Sequence, residues 1–185
     1  MNKKLAVALS GSAVLALALS GCGDDGSEKR DKWAKTICDE MRPQFSKIQQ
    51  ANAAIADAAR EKQPEKVKQT DSQAFQHISE AYAALADAVT KAGEPPVDDG
   101  AELQQDAVKE LKGIATSYGE LREAADALET DEEEKFYKGL KALAGKLEVL
   151  DGSSDKALTT LQEGELGQAM AKQESCKAPD ATEGS

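Results

Sequence analysis

From Trp33 onward the apolar residues recur every three or four positions, the spacing that gathers side chains on one face of an α-helix. Over residues 31–62 the stripe is Trp33, Ile37, Met41, Phe45, Ile48 and Ile55, with Asp31 as the N-cap residue. Pro43 falls inside this stripe. It has no backbone N–H and its ring crowds the preceding turn, so a kink near Arg42, or two abutting helices, is expected. Residues 64–92 carry a second stripe of Val67, Ala74, Ile78, Ala81, Leu85 and Ala88, widened by Phe75, Tyr82 and Val89. Pro64 suits a first helical turn, Gly93 suits a C-terminal cap, and Pro95-Pro96 forbid continuation.

Asp99 and Glu102 have capping-box spacing and open a third helix. Its stripe of Leu103, Ala107, Leu111, Ile114, Tyr118, Leu121, Ala125 and Leu128 is the most regular in the chain. Thr130 and Glu133 repeat the capping spacing before a fourth stripe of Phe136, Leu140, Leu143, Leu147 and Leu150. "DGSSD", residues 151–155, is expected to break or bend that helix. Leu158, Leu161, Leu166, Met170 and Cys176 then make a short C-terminal extension with a pause at Gly164, and residues 178–185 are expected to be a disordered tail. Clusters of β-branched residues and hairpin turns are absent. The fold class is therefore all-α, an antiparallel bundle of four long helices.

The first 21 residues read differently. Lys3 and Lys4 precede an uncharged run from Leu5 to Leu19, interrupted by Ser10, Gly11 and Ser12. A basic start followed by an apolar stretch of this length is the pattern of a secretory signal, and it falls short of the roughly 20 apolar residues of a membrane span. Leu19-Ser20-Gly21-Cys22 resembles a lipobox, the cleavage and lipidation site of bacterial lipoproteins. The resemblance implies cleavage before Cys22 and a diacylglyceryl thioether on its sulfur. An ordinary signal peptide with Cys22 free, or an uncleaved anchor, is the alternative. Stable anchoring needs about two acyl chains, which a diacylglyceryl group supplies. The expected division is a signal peptide over 1–21, a lipidated Cys22 with a flexible tether over 22–32, the bundle over 33–177 and the tail over 178–185. As a coil, the ten residues "GDDGSEKRDK" would span about 17–19 Å.

Composition narrows the partners. The chain carries 23 basic and 34 acidic residues. Removal of residues 1–21 takes Lys3 and Lys4 and no acid, leaving a formal charge of −13. So acidic a body is repelled by nucleic acid, which is excluded as a partner. Seven aromatic residues in the whole chain give thin support to glycan stacking. If Cys22 carries lipid, Cys38 and Cys176 remain, and outside the cytoplasm such a pair is expected to be oxidised. Two buried free thiols are the alternative. An even number of antiparallel helices returns the chain to its starting end, which brings Cys38 and Cys176 together there. A helix of about 30 residues is roughly 45 Å long, so a slim rod is expected. Its far tip holds the turns at 62–64 and 129–131; the near end holds the 93–99 loop and the disulfide.

Chemistry-bearing patterns are few. His77 and Glu80 are spaced i, i+3, but a di-iron bundle needs two such pairs and further carboxylates, and this chain has one histidine. No metal, cofactor or catalytic residue is therefore expected, and an exposed helical position is expected for His77. Asp151, Ser153 and Asp155 have the spacing of the first calcium-loop ligands, but Lys156 and Gln162 stand where glycine and glutamate belong. "TDEEEK" at 130–135 reads as carboxylates favoured by the dipole of a first helical turn. "IADAA", "LADAV" and "AADAL", at residues 55, 85 and 124, read as echoes of an alanine-rich composition rather than a repeat.

Cys22 together with "WAKTICDEMRPQF", "PPVDDG" and "GQAMAKQESC" resembles the small secreted lipoproteins of actinobacteria. The resemblance implies a cell-membrane location on the extracytoplasmic face and carries no activity with it. The functional expectation is a non-enzymatic, membrane-tethered helical interaction module with an envelope protein as partner. The alternative is a lipoprotein that captures a small ligand or metal ion for uptake or sensing.

Overall fold

The computed structural model describes residues 25–177, and the backbone alone at Asp25 and over 151–158. Among these residues the chain is helical and contains no strand. The elements are α1 (Asp25–Ala58), α2 (Pro64–Ala92), α3 (Gly100–Asp126), α4 (Glu133–Leu161), α5 (Gly164–Ala171) and a 3-10 turn, Glu174–Cys176. Each long helix packs on its neighbour in sequence, and α5 and the 3-10 turn return to α1. The antiparallel register of α2 and α3 is fixed by three crossings. Ser72 Oγ donates to Asp126 Oδ1 at 2.6 Å, Ser79 Oγ to the Ala115 carbonyl at 2.7 Å, and Gln104 Nε2 to the Val89 carbonyl at 3.1 Å. Tyr82 and Tyr118 stack between them with ring centroids 5.7 Å apart.

The expected stripes form the core. Trp33, Ile37 and Met41 of α1 are buried with Phe75, Ile78, Leu85 and Val89 of α2 and Leu111, Ile114, Tyr118 and Leu121 of α3. A second small cluster of Val67, Leu128 and Phe136 closes the far tip. There Lys68 Nζ donates to the Leu128 carbonyl at 2.9 Å and ties the start of α2 to the end of α3. At the opposite end Trp33 Nε1 donates to the Gly93 carbonyl at 3.0 Å, and Gly93 ends α2 with φ 79°, a conformation that suits glycine. Both ends of the rod are thus placed as the pattern requires. Trp33→Phe removes the donor and leaves that carbonyl without its indole partner. It should cost about 1–2 kcal/mol in urea unfolding with the slope unchanged.

The cysteines at the near end form the expected bridge. Cys38 and Cys176 are joined with S–S 2.06 Å and Cα atoms 5.0 Å apart. The surrounding surface adds cross-links between the chain's two ends. Lys172 pairs with Asp31 at 3.1 Å, Arg30 with Glu165 at 3.4 Å, and Ser175 donates to Asp39. Hydrogen bonds from Lys35 and then Ser175 hold the Asp39 carboxyl below its usual range.

Several local expectations are corrected. α1 begins at Asp25, so most of the segment expected to be a flexible tether over 22–32 is helix. Within it Arg30 pairs with Glu165 of α5, and Asp31 with Lys172 just beyond that helix. Cys22, the signal over 1–21 and the tail over 178–185 lie outside the described residues. α1 runs without a break through Pro43, which is exposed, while Met41 and Phe45 keep the stripe in phase beneath it. Asp99 sits at the N-cap of α3 but makes no side-chain cap. Its φ of 57° is left-handed, whereas a capping side chain needs extended backbone to reach the third amide. Thr130 does not open α4 either: the helix starts at Glu133, with Phe136 N–H donating to the Glu132 carbonyl at 3.0 Å. Finally, "DGSSD" continues α4 as helix instead of breaking it.

Candidate functional site

The helices do not close into a complete ring. Among the described residues α1 packs on α2 and α5, while α4 packs on α3 and makes no comparable approach to α1. In the far half of the rod this leaves a cleft of about 230 Å³ between α1, α2 and α4. Its floor is Val67 and Phe75 of α2 and Leu143 of α4, all buried. Half-buried Ile55, Leu140 and Leu147 form the walls, and exposed Ala59 and Ala144 stand at the mouth.

One polar side chain enters this apolar setting. Asp71 lies on α2 one turn beyond Val67 and is 5% exposed. Its Oδ1 is buried without a hydrogen-bond partner. The eight other residues lining the cleft are apolar. Lys68, a turn away on the same helix, has its ammonium committed to the Leu128 carbonyl. Just past the end of α1, Arg60 pairs back to Asp57 at 3.4 Å on an exposed face. With no compensating charge, burial pushes the Asp71 carboxyl up to about 6. It is still mostly ionised at pH 7, with Oδ1 shielded from water and without a hydrogen bond to replace it.

The residues singled out from sequence fall elsewhere. His77 and Glu80 are exposed beside a shallow groove of about 440 Å³ between α1 and α2, with Lys47, Gln50, Thr70 and Gln73 also lining it. Gln76 Nε2 donates to Glu80 at 2.9 Å, so the carboxylate already has a helical neighbour. Among the described residues no three or more His, Cys, Asp or Glu side chains are gathered as a metal would require. Asp151, Ser153 and Asp155 lie on helical backbone rather than in a loop. In the acidic run Lys135 pairs with Glu132 at 2.7 Å and Glu129 at 3.3 Å, and those partners hold its ammonium pKa above the usual lysine value. Cys38 and Cys176 stand together at the near end. The cleft lies at the other, about 30 Å along α1 from Cys38 at 1.5 Å per residue.

The stripe of apolar residues does not include Asp71, yet its spacing carries a signal for it. The α2 stripe steps by seven from Val67 to Ala74, and the residue that should bridge that step is an aspartate. A carboxylate on the inward face of an otherwise apolar stripe is the departure that marks a site. No family model, no curated protein and no solved structure matches this chain.

Proposed function

We propose that the protein is a non-catalytic binding module, anchored by lipid on Cys22 to the extracytoplasmic face of the cell membrane. The observation that carries this reading is the Cys38–Cys176 cystine in a chain that opens on an export-type segment ending at Cys22. A cystine persists where the surroundings are oxidising, and the leading segment with its lipobox-like end supplies both route and anchor. Only Gly23 and Asp24 separate Cys22 from the first residue of α1. Three residue steps reach about 10 Å, so a lipidated Cys22 holds the bundle close to the headgroups. The polar-faced rod then offers its sides to an envelope partner, and among the described residues no helix is long and apolar enough to cross a membrane.

Intact-mass measurement of the membrane fraction tests the anchor. The expected species begins at Cys22 and carries acyl mass, and a Cys22→Ser chain retains residues 1–21 without it. A wild-type chain that keeps residues 1–21 and lacks an acyl adduct refutes the anchored reading.

A second reading, capture of a small ligand, is favoured by one observation: the apolar cleft holding an unpartnered acid at the end of the rod away from the cystine. Metal-ion capture lacks comparable support. A single carboxylate among aliphatic walls offers one or two oxygen ligands where calcium takes six to eight.

A further inference from the structure

We infer that the α1–α2–α4 cleft is a binding site for a small organic cation, an aryl- or alkylamine whose ammonium pairs with Asp71 and whose apolar body fills the space above Phe75 and Leu143. The inference deepens the small-ligand reading and rests on it. Three independent features converge on this class.

The first is the orphaned carboxylate. Asp71 is 5% exposed, and its Oδ1 has no partner. Buried charges are ordinarily paired, so an unpaired one lining a cleft is half of an ion pair. An ammonium completes it with both opposite charge and hydrogen-bond donors. A neutral alcohol donates one hydrogen bond and leaves the charge uncompensated, and an anion is repelled.

The second is the shape and chemistry of the remaining walls. Ile55, Val67, Phe75, Leu140, Leu143 and Leu147 offer only hydrocarbon to the rest of a ligand. An apolar cavity of about 150 Å³ holds a benzene ring. The roughly 230 Å³ here fits one ring and a short amine-bearing arm. Apolar lining with a single well-placed polar group is the usual composition of a small-molecule pocket, although this one is below the common size range.

Access is the third. Alanines, not bulky residues, stand at the mouth where α1 and α4 fail to close. The formal charge of −11 on the chain raises the local concentration of cations around it.

Calorimetric titration of phenethylamine into the full chain in detergent, with detergent alone as blank, tests the inference. 2-Phenylethanol and 3-phenylpropionate serve as neutral and anionic counterparts. The amine is expected to bind at least tenfold tighter than the alcohol, with no binding of the acid. Asp71→Asn should abolish that preference. Ala144→Phe, a change at the exposed mouth, should block the amine while the cystine and helix content stay intact. Equal affinity for amine and alcohol, amine binding unchanged in Asp71→Asn, or no heat from the amine each overturns the inference. The intact-mass measurement of Cys22 is a separate readout. A chain that is acylated but silent toward the amine loses the cleft and keeps the anchor; one that binds the amine but carries no acyl group does the reverse.

Discussion

Replacing Cys38 and Cys176 together by alanine lowers the unfolding midpoint by on the order of 10 °C. The cystine spans 138 positions of sequence. Closing so long a loop removes entropy from the unfolded chain equivalent to about 5 kcal/mol at most. For a chain of this size each kcal/mol moves the midpoint by about 2–4 °C. The core gives the bridge more to do than usual. Ala34, Ala51, Ala74, Ala81, Ala86, Ala88, Ala107, Ala115 and Ala125 are all buried, and an alanine seam brings helices close while burying little area. The cystine also fastens the 3-10 turn, and through it α5, to α1.

Two mechanisms can be separated by comparing the double variant with wild type after reduction. Reduction keeps both sulfurs in place, so a fall shared by the two samples is the loss of the cross-link. A fall in the alanine variant alone would instead trace to the cavity left at Cys38, which is fully buried. The denaturant slope should rise in both, because an uncrosslinked unfolded chain exposes more surface. A change below about 1 kcal/mol in both would show that the loop is not what holds this bundle together.

Helix bounds follow from the sequence where phase and punctuation agree. α2 runs from Pro64 to Ala92, between a proline that can start a helix and a glycine that can end one. Where they disagreed, phase won. Leu147, Leu150 and Leu161 lie on one side of a helix, since eleven residues make close to three turns. Leu150 and Leu161 are both buried, and the glycine and serines between them do not outweigh that pull. Pro43 likewise does not split α1, which keeps Met41 buried on the same stripe. Capping boxes failed for a different reason: they depend on one residue's φ and ψ, which a pattern of side-chain types does not specify. Asp99 has the right side chain in a left-handed conformation. Its neighbour Gly100 lies so close to the Pro95 carbonyl that a Cβ there would sit 2.1 Å from the oxygen. The loop is set by that approach and not by a cap. The near end, with its cystine, followed from counting helices. The cleft did not, because it arises where α1 and α4 fail to meet, and stripes on separate helices do not reveal which pair is left open.

The second large effect is a pH-dependent destabilisation that Asp71→Asn removes. Burial raises the folded-state pKa of Asp71 to about 6 from the ordinary 3.8. Below pH 4 the carboxyl is protonated in both folded and unfolded chains and exerts no differential effect. Between about pH 4 and pH 6 the unfolded chain gives up this proton while the folded chain retains it, so stability falls as pH rises. Above about pH 7 the loss is complete and constant, at about 3 kcal/mol for a two-unit shift. The asparagine chain lacks this titration. Unfolding free energies of the two chains, measured at pH 4 and pH 8, should therefore diverge by about 3 kcal/mol in favour of asparagine at the higher pH. Asp39 acts in the opposite sense, since its lowered pKa gives stability that is lost on acidification, but it is common to both chains and cancels in the difference. No other ionisable side chain lines the cleft to mask the result. An acid that weakens the fold at neutral pH fits a site awaiting a cation, because pairing with an ammonium restores the lost stability in proportion to occupancy. Phenethylamine should accordingly narrow the gap between wild type and Asp71→Asn at pH 8 and leave it unchanged at pH 4. A gap equal at both pH values would mean that Asp71 ionises as freely in the folded chain as in water, and the unpaired buried charge would be gone.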